Sequence, residues 1–200
     1  ATDWTPAGNQ AFVSKYTAIT QQSYAFMLVT TGVLRVVTSA DGSTLITSDS
    51  TAAPTITDQK GLWIRATVDV NNGAAGNTVT FYTSNDAQTT DPERVTWSQL
   101  GNPVVNAGTT SIFNSTAGLN IGATDTGTLN RFTGKIYQAR IYNGLNRSLA
   151  ANFNPNLTCV RDQGFAVRND GALYVNSAAA TTTTFNGLAL VSGRLHETGL

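Results

Sequence analysis

Few side chains in this sequence could move a proton, and those few are scattered. Glu93 and Glu197 are the only glutamates, His196 the only histidine and Cys159 the only cysteine. Glycoside hydrolysis needs two carboxylates held at a set separation. Glu93 falls in a polar stretch, Glu197 lies near the C-terminus, and Asp69, the nearest acid on a strand-like segment, stands alone. A single histidine excludes a multi-histidine zinc site and leaves a Ser-His-Asp triad without support. A single cysteine excludes an intramolecular disulfide and a thiolate cluster. Cys159 reads as a small buried hydrophobe and His196 as a solvated or interfacial side chain. The chain is therefore expected not to be an enzyme.

What the sequence does offer is binding chemistry. Carbohydrate sites combine an aromatic platform with planar polar groups, and Tyr82, Trp97, Tyr137, Arg140 and Tyr142 supply both. If Phe132, Ile136 and Ile141 point to the core, Tyr137 and Tyr142 face outward. Arg140 shares their face only if no bulge resets the register. Tyr82, Tyr137, Arg140 and Tyr142 are thus the candidate ligand-binding residues, and an exposed tyrosine pair beside an arginine would serve a protein interface equally well. Trp63, Phe81 and Trp97 are expected in the core.

The elements that must carry these residues follow from composition and alternation. Charged residues are 12% of the 200, about half the usual ~25%, and their place is taken by 32 Thr, 18 Asn, 18 Gly and 13 Ser. Thr favours pleated surfaces, and Asn and Gly favour turns. With so few Glu and Lys to clothe helices, the fold is expected to be all-β. The net charge is zero, which lacks the basic excess of a nucleic-acid binder. No apolar run approaches the ~20 residues that span a bilayer, so no membrane insertion is expected. The first residue is Ala1 rather than Met, as in a processed chain or an excised fragment.

Alternating segments predict strands at 11–16, 23–30, 34–39, 45–47, 62–70, 78–84, 95–97 and 119–122, with a long one at 131–142 bulged at Gly134. Asp41-Gly42 and Asn71-Asn72-Gly73 read as hairpin turns, and 101–110 as a loop. Short strands at this spacing suggest a sandwich or barrel. A boundary is placed at Asn154-Pro155-Asn156, giving a main domain at 1–156 and a C-terminal segment at 157–200. That segment holds two hairpin-like units, 164–174 and 187–196, separated by the Thr181–Thr184 tract. Neither can bury a core of its own, so Phe165, Leu173, Tyr174, Leu188, Leu190 and Leu195 are expected to pack against the main domain or another chain.

The stretch Leu62-Trp63-Ile64-Arg65-Ala66-Thr67-Val68-Asp69, the segments Trp97-Ser98-Gln99-Leu100-Gly101 and Leu119-Asn120-Ile121-Gly122, and Phe132-Thr133-Gly134-Lys135-Ile136-Tyr137-Gln138-Ala139-Arg140-Ile141-Tyr142 together resemble the laminin-G-like, concanavalin-A-like jelly-roll domain. The Trp-Ser-Gln-Leu-Gly segment is similar to versions found in minor tail proteins of bacteriophages, and so is Asn186–Leu195. The resemblance covers residues 3–154 well and 160–196 loosely. It implies an antiparallel β-sandwich jelly roll with a small C-terminal β-hairpin appendage. The family usually has a strand ahead of Asp3-Trp4-Thr5-Pro6, which accords with an excised fragment.

By the same resemblance the chain would be a non-catalytic virion module of a phage tail, binding host cell-surface carbohydrate or protein. The alternatives are a structural docking domain between tail subunits and an extracellular carbohydrate-binding module of a bacterial protein. The catalytic members of the concanavalin-A-like class carry two Glu and an Asp alternating on one strand, which this sequence lacks. Other virion subunits would be neighbours, and fibre-like trimeric pairing would make a homotrimer. The family also implies Ca²⁺ at a loop rim, with Asp69, Asn71, Asp125 and Asn120 as candidate ligands. The simpler reading of Asp69 and Asn71 is that they cap a hairpin through Asx turns, which leaves no cofactor.

Overall fold

A computed structural model describes residues 1–17, 19–145, 148–154, 188–191 and 194–197. With 43% of residues in strands and 4% in helix, the fold is all-β with antiparallel sheets, and among the described residues the helix is confined to two short 3-10 turns. Two compact units divide the chain, Ala1–Ala150 and Ala151–Leu200. The division falls a few residues ahead of the Asn154-Pro155-Asn156 boundary.

In the first unit a five-stranded sheet has the order β4-β3-β2-β1-β9. Its strands are β1 (Gln10–Thr17), β2 (Gln21–Leu28), β3 (Leu34–Ser39), β4 (Leu45–Asp49) and β9 (Leu119–Ile121). A second sheet is built on β6 (Gly76–Ser84). It pairs on one side with β5 (Trp63–Asp69) and on the other with β7 (Ser98–Gln99) and β8 (Val104–Ala107). A separate hairpin joins β10 (Ala139–Asn143) to β11 (Ser148–Phe153).

One core draws on both sheets, an arrangement consistent with a β-sandwich. Phe12, Leu28, Leu34 and Val36 from the first pack with Val79 and Phe81 from the second and with Trp4. The alternation of β5 sends Ile64, Ala66 and Val68 to this core. A bulge in β1, where Ala11 opposes Met27 and Val13 opposes Phe26, leaves Phe12 as the extra residue. That extra residue reaches the core and meets Phe26 and Phe132 with tilted rings, centroids 5.3 and 5.2 Å away.

Several expectations need correction. Trp63 is not in the core: it shares β5 parity with Arg65, opposite to Ile64 and Ala66, and is half-buried with its indole N–H donating to the Ala87 carbonyl at 3.1 Å. Trp97 is also half-buried. The strand placed at 95–97 lies instead at Ser98–Gln99, because Val95 is buried as a loop anchor. The loop at 101–110 contains β8, which Gly76 admits, since a Cβ there would fall 2.1 Å from the Asn106 carbonyl. The long strand at 131–142 shrinks to β10. Its first half spends its hydrogen bonds elsewhere: Phe132 N–H donates to Gly122, Thr133 N–H to the Gln10 side chain, and the Thr133 carbonyl accepts from Thr2. Gly134, at φ +146°, is a pivot outside any strand rather than a bulge.

In the second unit β12 (Leu188–Val191) pairs antiparallel with β13 (Arg194–Glu197), Leu190 opposite Leu195, as the repeat at 187–196 predicts. The 164–174 unit and Cys159 lie outside the described residues. Among the described residues, no helix is long and apolar enough to cross a membrane.

The Asp41-Gly42 turn between β3 and β4 shows how acid should act on this fold. The Asp41 carboxylate accepts from the Thr44 hydroxyl and N–H, both at 2.7 Å, and from Ser43 N–H at 2.8 Å. Chiefly through the Thr44 hydroxyl, these donors hold its pKa well below the usual carboxylate range. A lowered folded-state pKa contributes stability above the unfolded value and loses it as pH falls through the folded value. The melting-temperature gap between wild type and Asp41→Ala should therefore stay constant from neutral pH to about 5 and shrink below about 4. A gap that widens in acid would reverse the assignment.

Candidate ligand-binding cleft

The second sheet's outer face is organised by the β5–β6 register, whose last pair is Asp69 opposite Thr78. Arg65 lies opposite Tyr82. Its guanidinium sits over the Tyr82 ring at 4.2 Å and the Trp97 ring at 4.6 Å, held between two aromatic faces. Trp97 is brought there by the loop after β6. Asp86 accepts from Thr96 N–H at 2.7 Å, Trp63 anchors Ala87, and Val95 is buried. In the same loop Asp91 caps the 3-10 turn Pro92–Arg94 by accepting from Glu93 N–H at 3.0 Å, with Pro92 supplying the preset φ of a first helical position.

That turn presents Glu93 to β10. Its carboxylate accepts from the Arg140 guanidinium at 3.1 Å and from the Tyr142 hydroxyl at 2.5 Å, while Asp91 lies 3.9 Å from Arg140. Oriented so that its oxygen meets donors, the Gln138 amide accepts from Arg140 Nε at 3.1 Å. Arg140 and Tyr142 thus share one face of β10. Desolvation, and next the bond to Glu93, push the Tyr142 hydroxyl pKa up, so it stays a neutral donor at physiological pH.

These groups border a cleft of about 1170 Å³, above the roughly 300–1,000 Å³ of ordinary ligand pockets. Phe26 and Val36 of the first sheet, Ile64 and Ala66 of β5, and Ile136 and Ile141 supply apolar wall. Trp63, Arg65, Trp97, Arg140 and Tyr142 reach its lining, as does Tyr137, which is exposed. Of the four ligand-binding candidates, Tyr137, Arg140 and Tyr142 line this one cleft, and Tyr82 adjoins it through Arg65.

The calcium candidates are placed differently. Asp69 ends β5, and Asn71 Oδ1 accepts from Gly73 N–H at 3.4 Å within the hairpin turn. Asp125 starts a 3-10 turn beyond β9, and Asn120 donates to the Gly118 carbonyl. Among the described residues, no three His, Cys, Asp or Glu side chains gather in a metal-like group.

The sequence alone does not assign Arg65, Glu93 or Gln138 to the binding site. Arg65 meets Tyr82 through the long loop between Asp69 and Thr78, a register that the Asn-Asn-Gly triplet alone does not fix. Glu93 reads in the sequence as an isolated loop acid, and no local signal ties it to a strand 47 residues on. Compared with known proteins, the chain matches no family model, no curated protein and no solved structure.

Proposed function

We propose that this chain is a non-catalytic binding module of the laminin-G-like, concanavalin-A-like jelly-roll type, carried by a bacteriophage tail and recognising glycan or protein on the host surface. The observation that carries the reading is the convergence on one cleft of Trp97, Tyr137 and Tyr142 with the planar polar groups of Arg65, Gln138 and Arg140. Aromatic faces suit the C–H faces of sugar rings, and planar amide and guanidinium groups suit their hydroxyls. The ion pair to Glu93 and the aromatic stack on Arg65 hold both arginines in place before a ligand arrives, which reduces the ordering cost of binding. The reading needs no cofactor and no proton transfer.

A glycan array probed with the full chain tests it. Binding to at least one glycan class is expected, and Trp97→Ala should weaken it by about tenfold, the loss of one stacking platform of roughly 1.4 kcal/mol. Glu93→Gln should weaken it more modestly. It should change stability by under ~1 kcal/mol because the Glu93–Arg140 pair is partly exposed. A folded chain that binds neither glycans nor host cells would overturn the reading.

Docking between tail subunits is the second reading. It is favoured by Leu145 and Leu149, which are 57% and 50% exposed on the β10–β11 hairpin, where bare leucines suit a protein interface.

A further inference from the structure

An asparagine followed by glycine carries the means to modify itself. The glycine backbone nitrogen can attack the side-chain carbonyl carbon of the asparagine, and a residue without a Cβ hinders that approach least. Asn72-Gly73, Asn143-Gly144 and Asn186-Gly187 are such pairs, and Asn186-Gly187 lies outside the described residues. The other two make a matched comparison. Gly73 has φ +78° and Gly144 φ +76°, and at neither does a heavy atom beyond the chain neighbours come within 4 Å of where a Cβ would stand. The asparagines differ. Both ends of the Asn72 amide are held, Oδ1 accepting from Ala74 N–H at 2.9 Å and Nδ2 donating to the Thr78 hydroxyl at 3.1 Å. The attacking nitrogen is held too, since Gly73 N–H donates to Asn71 Oδ1 at 3.4 Å. Asn143 ends β10, is exposed, and its side-chain amide makes no hydrogen bond to another described residue.

The geometry points to Asn143-Gly144 as a site of spontaneous deamidation, with water the only co-reactant. The Gly144 nitrogen gives up its proton and bonds to Asn143 Cγ. The Cγ–Nδ2 bond breaks, and Nδ2 leaves as ammonia with a proton gained in exchange. One water then opens the resulting cyclic imide at either carbonyl, giving aspartate or isoaspartate. At Asn72 two side-chain hydrogen bonds must be given up first, which should slow the same step by roughly tenfold or more. Asn143 lies on the cleft lining, so either product adds a carboxylate there. Isoaspartate also lengthens the backbone by one methylene where the β10–β11 hairpin turns. This chemistry is independent of what the cleft binds.

The test is to incubate the full chain in neutral buffer, digest it at intervals and follow each asparagine by fragmentation mass spectrometry. The amide-to-acid mass gain should accumulate at Asn143 at least about tenfold faster than at Asn72, as a mixture of aspartate and isoaspartate. In urea, which unfolds the chain and frees the Asn72 amide, the two rates should converge. Thr78→Val removes the acceptor of Asn72 Nδ2 and should speed Asn72 severalfold while leaving Asn143 unchanged. An Asn143 that stays intact, or that reacts no faster than Asn72 in the folded chain, would overturn the assignment. Aspartate without isoaspartate would mean direct hydrolysis and overturn the imide step. A Thr78→Val chain, folded by circular dichroism, whose Asn72 reacts no faster than in the parent would overturn the role given to the held amide.

Discussion

Phe81→Ala is expected to lower stability by about 3–5 kcal/mol in urea unfolding, the range for emptying a fully buried aromatic site. Phe81 is 0% exposed and belongs to the core shared by both sheets. Its ring lies 6.4 Å from that of Phe26, and its carbonyl accepts from Leu100 N–H at 2.8 Å. The backbone bond survives the substitution, so the loss comes from transfer and cavity terms alone. Neighbours on two different sheets cannot collapse together into the hole without shifting both ladders. Trp63→Ala provides the contrast. Trp63 is larger, but it is half-buried on the outer face of β5, so its loss should cost only about 1–2 kcal/mol, one partly covered ring and one hydrogen bond. A Phe81 variant within about 1 kcal/mol of the parent would contradict this placement of the core. So would a Trp63 variant more damaged than the Phe81 one.

Gly42→Ala should be the second most damaging change, at about 2–4 kcal/mol from strain and overpacking together. Gly42 has φ +89°, where an L side chain is strained. A Cβ there would also stand 2.6 Å from the Thr20 carbonyl and 2.8 Å from the Phe113 ring. Neither obstacle can step aside cheaply, because the Gly42 carbonyl accepts from Gln22 N–H and Phe113 N–H is bonded to Ser39. Gly73 separates the two causes. It has a similar φ of +78° but no heavy atom within 4 Å of the added carbon, so Gly73→Ala should cost only about 1 kcal/mol. Equal losses at the two positions in thermal unfolding would show that backbone strain alone governs both.

Local pattern decided much of this molecule. Alternation placed β1 to β6 and β9 within a few residues, because a strand with one buried face must alternate whatever it later packs against. Asp41-Gly42 and the Asn-Asn-Gly turn were equally plain, since few residue types tolerate those backbone angles. Low charge and abundant Thr announced an all-β chain, and the sequence also showed that Arg140 and Tyr142 are near neighbours on one segment.

Tertiary structure decided the rest, wherever a backbone donor or a side chain had two possible partners. Phe132 and Thr133 alternate as strand residues should, yet their N–H groups go to Gly122 and Gln10. A distant carbonyl or amide wins there, and the strand cannot begin before Ala139. The β1 bulge moved Phe12 into the core, an outcome that depends on the partner strand's register and so is invisible in β1 itself. The cleft belongs to the same class. Glu93 became the acceptor for Arg140 and Tyr142 because a capped turn and a strand far apart in sequence were brought side by side. Arg65 became a stacked cation because the loop after β6 laid Trp97 over it. Periodicity records which face of one element is buried. It carries no information about which loop will lie across the other face, because that choice is made by contacts whose two halves lie in different parts of the chain.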